Sequence, residues 1–154
     1  MKSRKPLETI FMETARQFAE RATCGRARVG SVITKDKRII SSGYNGPLPG
    51  QPHCSSEICD LKNHCERSIH AEANAIMFAC RQGVPISGSD VYITLSPCKK
   101  CAELIILAGM KRVYFADEYR EAPSSIPFLQ HHGIECFRMV EFPGWEWDQP
   151  FELK

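Results

Sequence analysis

Apolar residues at Leu7, Ile10, Phe11, Ala15, Phe18, Ala19 and Ala22 recur at three- and four-residue steps, the stripe of an amphipathic helix, with Pro6 suited to its start. The pattern then changes to extended segments. Residues 29–34 and 38–44 read as two strands joined by the polar turn Lys35-Asp36-Lys37, a hairpin. A run over 69–81, rich in Ala, Ile, Met and Phe, predicts a mostly buried helix stopped by Gly83 and Pro85. Beyond it, 90–95 reads as strand, 98–108 as helix, 112–116 as strand, 126–132 as a short helix and 134–139 as strand. This alternation predicts an α/β sandwich with at least partly parallel pairing. Phe78, Phe115, Phe128 and Phe137 fall to the core in this scheme, with Cys80 and Cys136 as small buried residues.

Residues 45–68 break the periodicity with Gly, Pro, Cys and polar residues, and so long a loop is uncommon unless it is functional or tied down. The tail, from about residue 143 to 154, is aromatic and Pro-rich and suits packing on the core or on another subunit. Length and composition, 154 residues with 43% hydrophobic and 25% charged, predict a single domain over 1–154 with one core. Apolar runs such as 104–108 fall far short of the roughly 20 residues that span a bilayer, so no membrane partner is expected. The first helix is interrupted by Glu8, Glu13, Arg16 and Gln17 and offers no signal-peptide core, which points to the cytoplasm. A net charge of +2 from dispersed basic residues gives nucleic-acid binding little support and leaves room for a small anionic ligand.

Eight cysteines without a secretion signal point to metal rather than to a disulfide framework. His70-Ala71-Glu72 and Pro97-Cys98-Lys99-Lys100-Cys101 together supply one imidazole, two thiols and a carboxylate, the H-x-E…P-C-x-x-C signature of zinc deaminases. Three nitrogen and sulfur ligands leave zinc a fourth position for water, whose pKa it lowers to roughly 7. With Ser96 as N-cap and Pro97 at the first helical position, Cys98 falls in the first turn of a helix and Cys101 one turn later, on the same face. The helix dipole there favours thiolates. His70 and Glu72 likewise open a helix, so the Ala71 N–H is available to a substrate carbonyl and Glu72 serves as proton shuttle. The plainer alternative is a closed zinc site with Glu72 merely solvated. His131-His132 reads as a solvated pair rather than a metal site.

Four stretches go further: Thr23-Cys24-Gly25-Arg26, Gly43-Tyr44-Asn45-Gly46-Pro47-Leu48-Pro49-Gly50, the run CERSIHAEANAI over 65–76, and Pro97-Cys98-Lys99-Lys100-Cys101. Through them the chain resembles, from about Phe11 to about Tyr119, the cytidine and deoxycytidylate deaminase family, and most closely its deoxycytidylate branch. That resemblance implies a three-layer α-β-α fold with a five-stranded mixed sheet flanked by helices. It implies a catalytic zinc held by His70, Cys98 and Cys101, with Glu72 as general acid and base. The implied reaction is hydrolysis of dCMP to dUMP and ammonia, feeding dTMP synthesis. Its relatives assign Asn45 to the sugar 3′-hydroxyl, where a turn role beside Gly46 is the plainer reading, and Arg26, Arg28 and Tyr119 are the candidates for the 5′-phosphate.

Regulation follows from the same resemblance. Gly43, Tyr44, Asn45, Gly46 and Gly50 would form a nucleotide loop for activation by dCTP and inhibition by dTTP, with Mg2+ accompanying the nucleotide and a hexamer as the assembly. Cys24, Cys54, Cys59 and Cys65 would hold a second, structural zinc, with free thiols as the alternative and His53 and His64 as substitutes or bystanders. Rival readings are a deaminase of cytidine, guanine or tRNA adenosine, and a non-catalytic zinc scaffold.

Overall fold

In a computed structural model, which describes residues 4–55, 65 and 67–139, five strands form one sheet. Gly30–Lys35 (β1) and Arg38–Tyr44 (β2) make the expected antiparallel hairpin. Its turn holds Asp36 and Lys37 at φ of 50° and 62°, the two left-handed residues that match a tight turn to the twist of its strands. Asp90–Leu95 (β3) adds antiparallel to β1, and Arg112–Asp117 (β4) and Glu135–Arg138 (β5) follow in parallel. The order β2-β1-β3-β4-β5 is therefore a mixed sheet. Each parallel step needs a crossover, and the helices Lys99–Leu107 (α3) and Ala122–His131 (α4) provide them.

The side-chain period of two sorts the strands onto two cores. Ile33, Val91, Ile93, Val113 and Phe115 pack with Ala75 and Ile76 of Ala71–Arg81 (α2), Ala102 and Ile105 of α3 and Leu129 of α4. Val32, Tyr92 and Tyr114 face the other way, against Phe11, Met12 and Ala15 of Leu7–Ala19 (α1). The result is three layers, with α1 on one face and α2, α3 and α4 on the other. On the α1 face Tyr92 and Tyr114 stack with centroids 4.4 Å apart and planes 3° from parallel, and Phe137 continues the row at 5.0 Å.

Two glycines allow the helices to approach the sheet. A Cβ on Gly30 would collide with the Ala15 carbonyl of α1, and one on Gly43 would lie 2.5 Å from the Ala71 carbonyl and 2.6 Å from the Ala75 nitrogen. Ser41 Oγ donates to the Ala75 carbonyl at 2.7 Å, and Asn74 Nδ2 to the Tyr44 carbonyl at 2.8 Å. The first turn of α2 is thus locked to β2.

Three expectations are corrected. The helix over 69–81 is not mostly buried: its sheet-facing stripe is Ala71, Glu72, Ala75, Ile76 and Ala79, so Phe78 is half exposed and Cys80 is on the surface. Phe115 lies in the core, whereas Phe128, Phe137 and Cys136 are only partly buried at its edge. The fourth helix begins at Ala122, not 126, because Pro123 sits in its first turn, where a missing N–H costs nothing. His131 and His132 are exposed, as expected. Among the described residues, no helix is long and apolar enough to cross a membrane. The tail from 143 to 154 lies outside them.

Candidate active site

The N-terminal ends of α2 and α3 meet on one side of the sheet. His70 is the N-cap of α2, with extended backbone at φ −69° and ψ 152°. Cys98 is the N-cap of α3, at φ −71° and ψ 168°. This shifts the helix start by two residues from the expected Ser96 cap. Ser96 cannot serve, because its buried Oγ accepts the Tyr119 N–H at 2.7 Å. Cys98 is therefore a flanking residue, and Cys101 lies one turn in, with both sulfurs still turned to His70.

His70 Nδ1 is 3.5 Å from Cys98 Sγ and 3.4 Å from Cys101 Sγ. Ligand bonds of roughly 2.0 and 2.3 Å at tetrahedral angles would set a nitrogen and a sulfur about 3.5 Å apart, so this spacing fits one zinc ion. Among the described residues, these three are the one group of three or more His, Cys, Asp or Glu whose ligand atoms lie within 4.8 Å of each other. The donor set is borderline-soft and leaves a fourth position open.

Glu72 follows in the first turn of α2 and is only 4% exposed. Burial pushes its carboxyl up to about 7, against a hydrogen bond to its own backbone and the charge of His70, which pull down. Hydrogen bonding to Cys101 draws the Cys98 thiol down to about 4, while the same contact and burial push Cys101 up. His70 is raised, chiefly by its hydrogen bond to Cys98.

His70, Glu72 and Cys98 line a cavity of about 320 Å³, which also takes in Arg26, Asn45, Ser68, Ala71, Tyr119 and Arg120. Ala71 is the first helical residue of α2, so its N–H has no acceptor within the helix. Asn45 is buried and clamps the segment before β1: its Oδ1 accepts from the Val29 N–H at 2.8 Å and its Nδ2 donates to the Ala27 carbonyl at 2.9 Å. One donor and one lone pair of its amide are left for the cavity. Arg28 is exposed and does not line the cavity.

The candidate nucleotide loop is spread over different structures. Gly43 and Tyr44 belong to β2, and the Gly46 N–H is taken by the Ile69 carbonyl at 3.1 Å. Gly50, at φ +85°, is the one of its glycines in a left-handed conformation. Of the second-zinc candidates, Cys24 and Cys65 line the cavity, Cys54 is half-buried, and Cys59 and His64 lie outside the described residues. His53 is exposed. Sequence reasoning missed Ser68, a buried hydroxyl without a partner among the described residues, and Arg120. Their only sequence signal was proximity to residues already singled out.

Comparison with known proteins agrees with this geometry. The profile of the cytidine and deoxycytidylate deaminase zinc-binding region matches residues 6–117. The chain is 42% identical over 125 residues to ComE operon protein 2 of Bacillus subtilis (strain 168), covering 80% of this chain and 66% of that protein. It is 31% identical over 178 residues to the deoxycytidylate deaminase of Enterobacteria phage T2, covering 90% and 94%. The crystal structure of dCMP deaminase from cyanophage S-TIM5 in complex with dCMP and dUMP superposes with a TM-score of 0.80 at 34% identity, covering 88% of this chain and 99% of that one.

Proposed function

Since the chain belongs to the cytidine and deoxycytidylate deaminase family, we propose that it hydrolyses dCMP to dUMP and ammonia. The observation that carries this is the buried Glu72 beside the His70, Cys98 and Cys101 trio, at a cavity that also holds Arg26 and Tyr119. Similarity to proteins named as dCMP deaminases, along nearly the whole length of two of them, supports the choice of substrate.

His70, Cys98 and Cys101 would hold zinc, which when bound supplies Lewis acidity and brings a water's pKa to about 7. The rest is done by the chain. Glu72 takes the proton of the water that adds to C4 of the pyrimidine and hands it to N3. It then takes the remaining proton of the added hydroxyl and delivers it to the departing amine, so that ammonia leaves and a carbonyl is left at C4. A carboxyl that burial holds near 7 is suited to both directions of transfer. The Ala71 N–H steadies the pyrimidine carbonyl, and the spare donor and acceptor of Asn45 meet the sugar.

The second zinc, on Cys24, Cys54, Cys59 and Cys65, belongs to the proposal, as do dCTP and dTTP control and a hexameric assembly. The loop over 43–50 supports the control by its resemblance. Exposed Leu107, Met77 and Phe78, at 83%, 59% and 50%, support assembly. The dUMP formed would feed dTMP synthesis. The test is ammonia release from dCMP, CMP, deoxycytidine and dCTP, each with and without dCTP or dTTP as effector. Turnover confined to dCMP is expected. Equal turnover of deoxycytidine overturns the substrate assignment, and a hyperbolic dCMP curve unmoved by either triphosphate overturns the control.

A further inference from the structure

Arg120 carries a positive charge that its neighbours do not neutralise. Glu118 Oε1 accepts from Arg138 Nη1 at 3.0 Å, and Glu121 Oε2 accepts the Lys99 N–H at 3.0 Å. Both acids nearest to Arg120 in the chain are therefore committed elsewhere. Among the described residues, no carboxylate pairs with its guanidinium, which instead lies 5.4 Å from the ring centroid of Tyr119. Exposed as Arg120 is, that contact sets its fork beside a cavity-lining ring.

An exposed arginine on a loose loop would mean little, but this loop is fastened on both sides of it. Before Arg120, the Tyr119 N–H is held by Ser96 Oγ at 2.7 Å; after it, Glu121 is tied to the start of α3. The Tyr119 carbonyl closes the turn by accepting the Ala122 N–H at 2.8 Å. Arg120 is thus presented to the cavity from a backbone anchored to the helix that carries Cys98 and Cys101. Arg26 lines the same cavity and Arg28 does not.

We propose that Arg120 is a specificity-determining residue, by which the enzyme selects a nucleoside 5′-monophosphate over the free nucleoside. Its guanidinium fork matches two phosphate oxygens, a match that a point charge does not reproduce. The inference rests on the proposed reading of the cavity as a nucleotide site. A charged hydrogen bond of this kind affects binding by about 10- to 100-fold.

The test is steady-state deamination of dCMP and deoxycytidine by the zinc-loaded wild type, Arg120→Ala and Arg38→Ala, the last being an exposed arginine of β2 remote from the loop. Arg120→Ala should raise KM for dCMP about 10- to 100-fold with kcat changed little, leave deoxycytidine kinetics alone and keep its zinc; Arg38→Ala should behave as wild type. If wild type prefers dCMP and Arg120→Ala keeps that preference, or loses activity on both substrates alike, the role of Arg120 is overturned while the nucleotide reading stands. If wild type turns over deoxycytidine as well as dCMP, the nucleotide reading fails and the role of Arg120 with it.

Discussion

The starts of α2 and α3 converge on the same few ångströms, yet they are built differently. At α2 everything is adjacent: His70 caps, Ala71 offers an N–H, and Glu72 is buried one residue on. At α3 the proposed ligands Cys98 and Cys101 lie within one turn, but the helix end is completed by a distant loop, through Glu121 on the Lys99 N–H and Ser96 on the Tyr119 N–H. A cysteine cap that spends its sulfur on metal cannot also satisfy the helix N–H groups, so another carboxylate must. The difference teaches that the α2 end should fail outright when altered, and the α3 end by degrees.

Loss of a ligand is the severest way to break the pair of helix ends. His70→Ala should hold one equivalent of zinc fewer than the wild type and lose all measurable ammonia release, as a chelator should do to the wild type; a variant with the wild-type metal content, by elemental analysis, would show that α2 supplies no ligand. Next comes Glu72→Ala, which should keep its zinc and lose turnover by about 10²- to 10⁴-fold. Deamination at the wild-type rate would remove the proton shuttle from the mechanism.

A smaller effect concerns stability without metal. Burial raises Glu72 from 4.5 to about 7, so the fold favours the protonated acid. That contribution is complete below about pH 4.5 and is lost as pH rises through about 7. Between about pH 5 and about pH 8, metal-free wild type should lose on the order of 2 kcal/mol relative to metal-free Glu72→Gln. Urea unfolding at the two pH values measures it, and parallel pH dependences would contradict the burial argument. Smallest is Glu121→Ala, which removes the borrowed cap: about 1 kcal/mol of stability should go, with zinc retained. A thermal midpoint equal to that of wild type would mean that water replaces the carboxylate without loss.

What was legible follows the same division. The strands were readable because each keeps its period of two over several residues, and the proposed metal site because H-x-E and P-C-x-x-C put reactive groups close to one another. Ser96 misled because its preference for capping is a local one, overruled by the Tyr119 N–H just past the end of the neighbouring strand β4. Phe78 and Cys80 misled because an apolar side chain carries no mark of which helix face the sheet will cover. Arg120 was invisible for a related reason: its value depends on Glu118 and Glu121 being occupied elsewhere. The N–H of Gly46, a residue of the candidate nucleotide loop, is paired with Ile69 across a bridge that no short motif announces.

The row Tyr92, Tyr114 and Phe137 has an optical consequence. It lies on the α1 face, whereas the cavity opens at the ends of α2 and α3, and both tryptophans of the chain, Trp145 and Trp147, fall in the tail. Rings stacked in fixed orientation are strongly dichroic in the near ultraviolet, so the tyrosine band reports the integrity of the sheet. Tryptophan emission, excited selectively, belongs to the tail alone. One sample can therefore be followed in two colours, and a change at the tail told apart from loss of the fold without any label being attached.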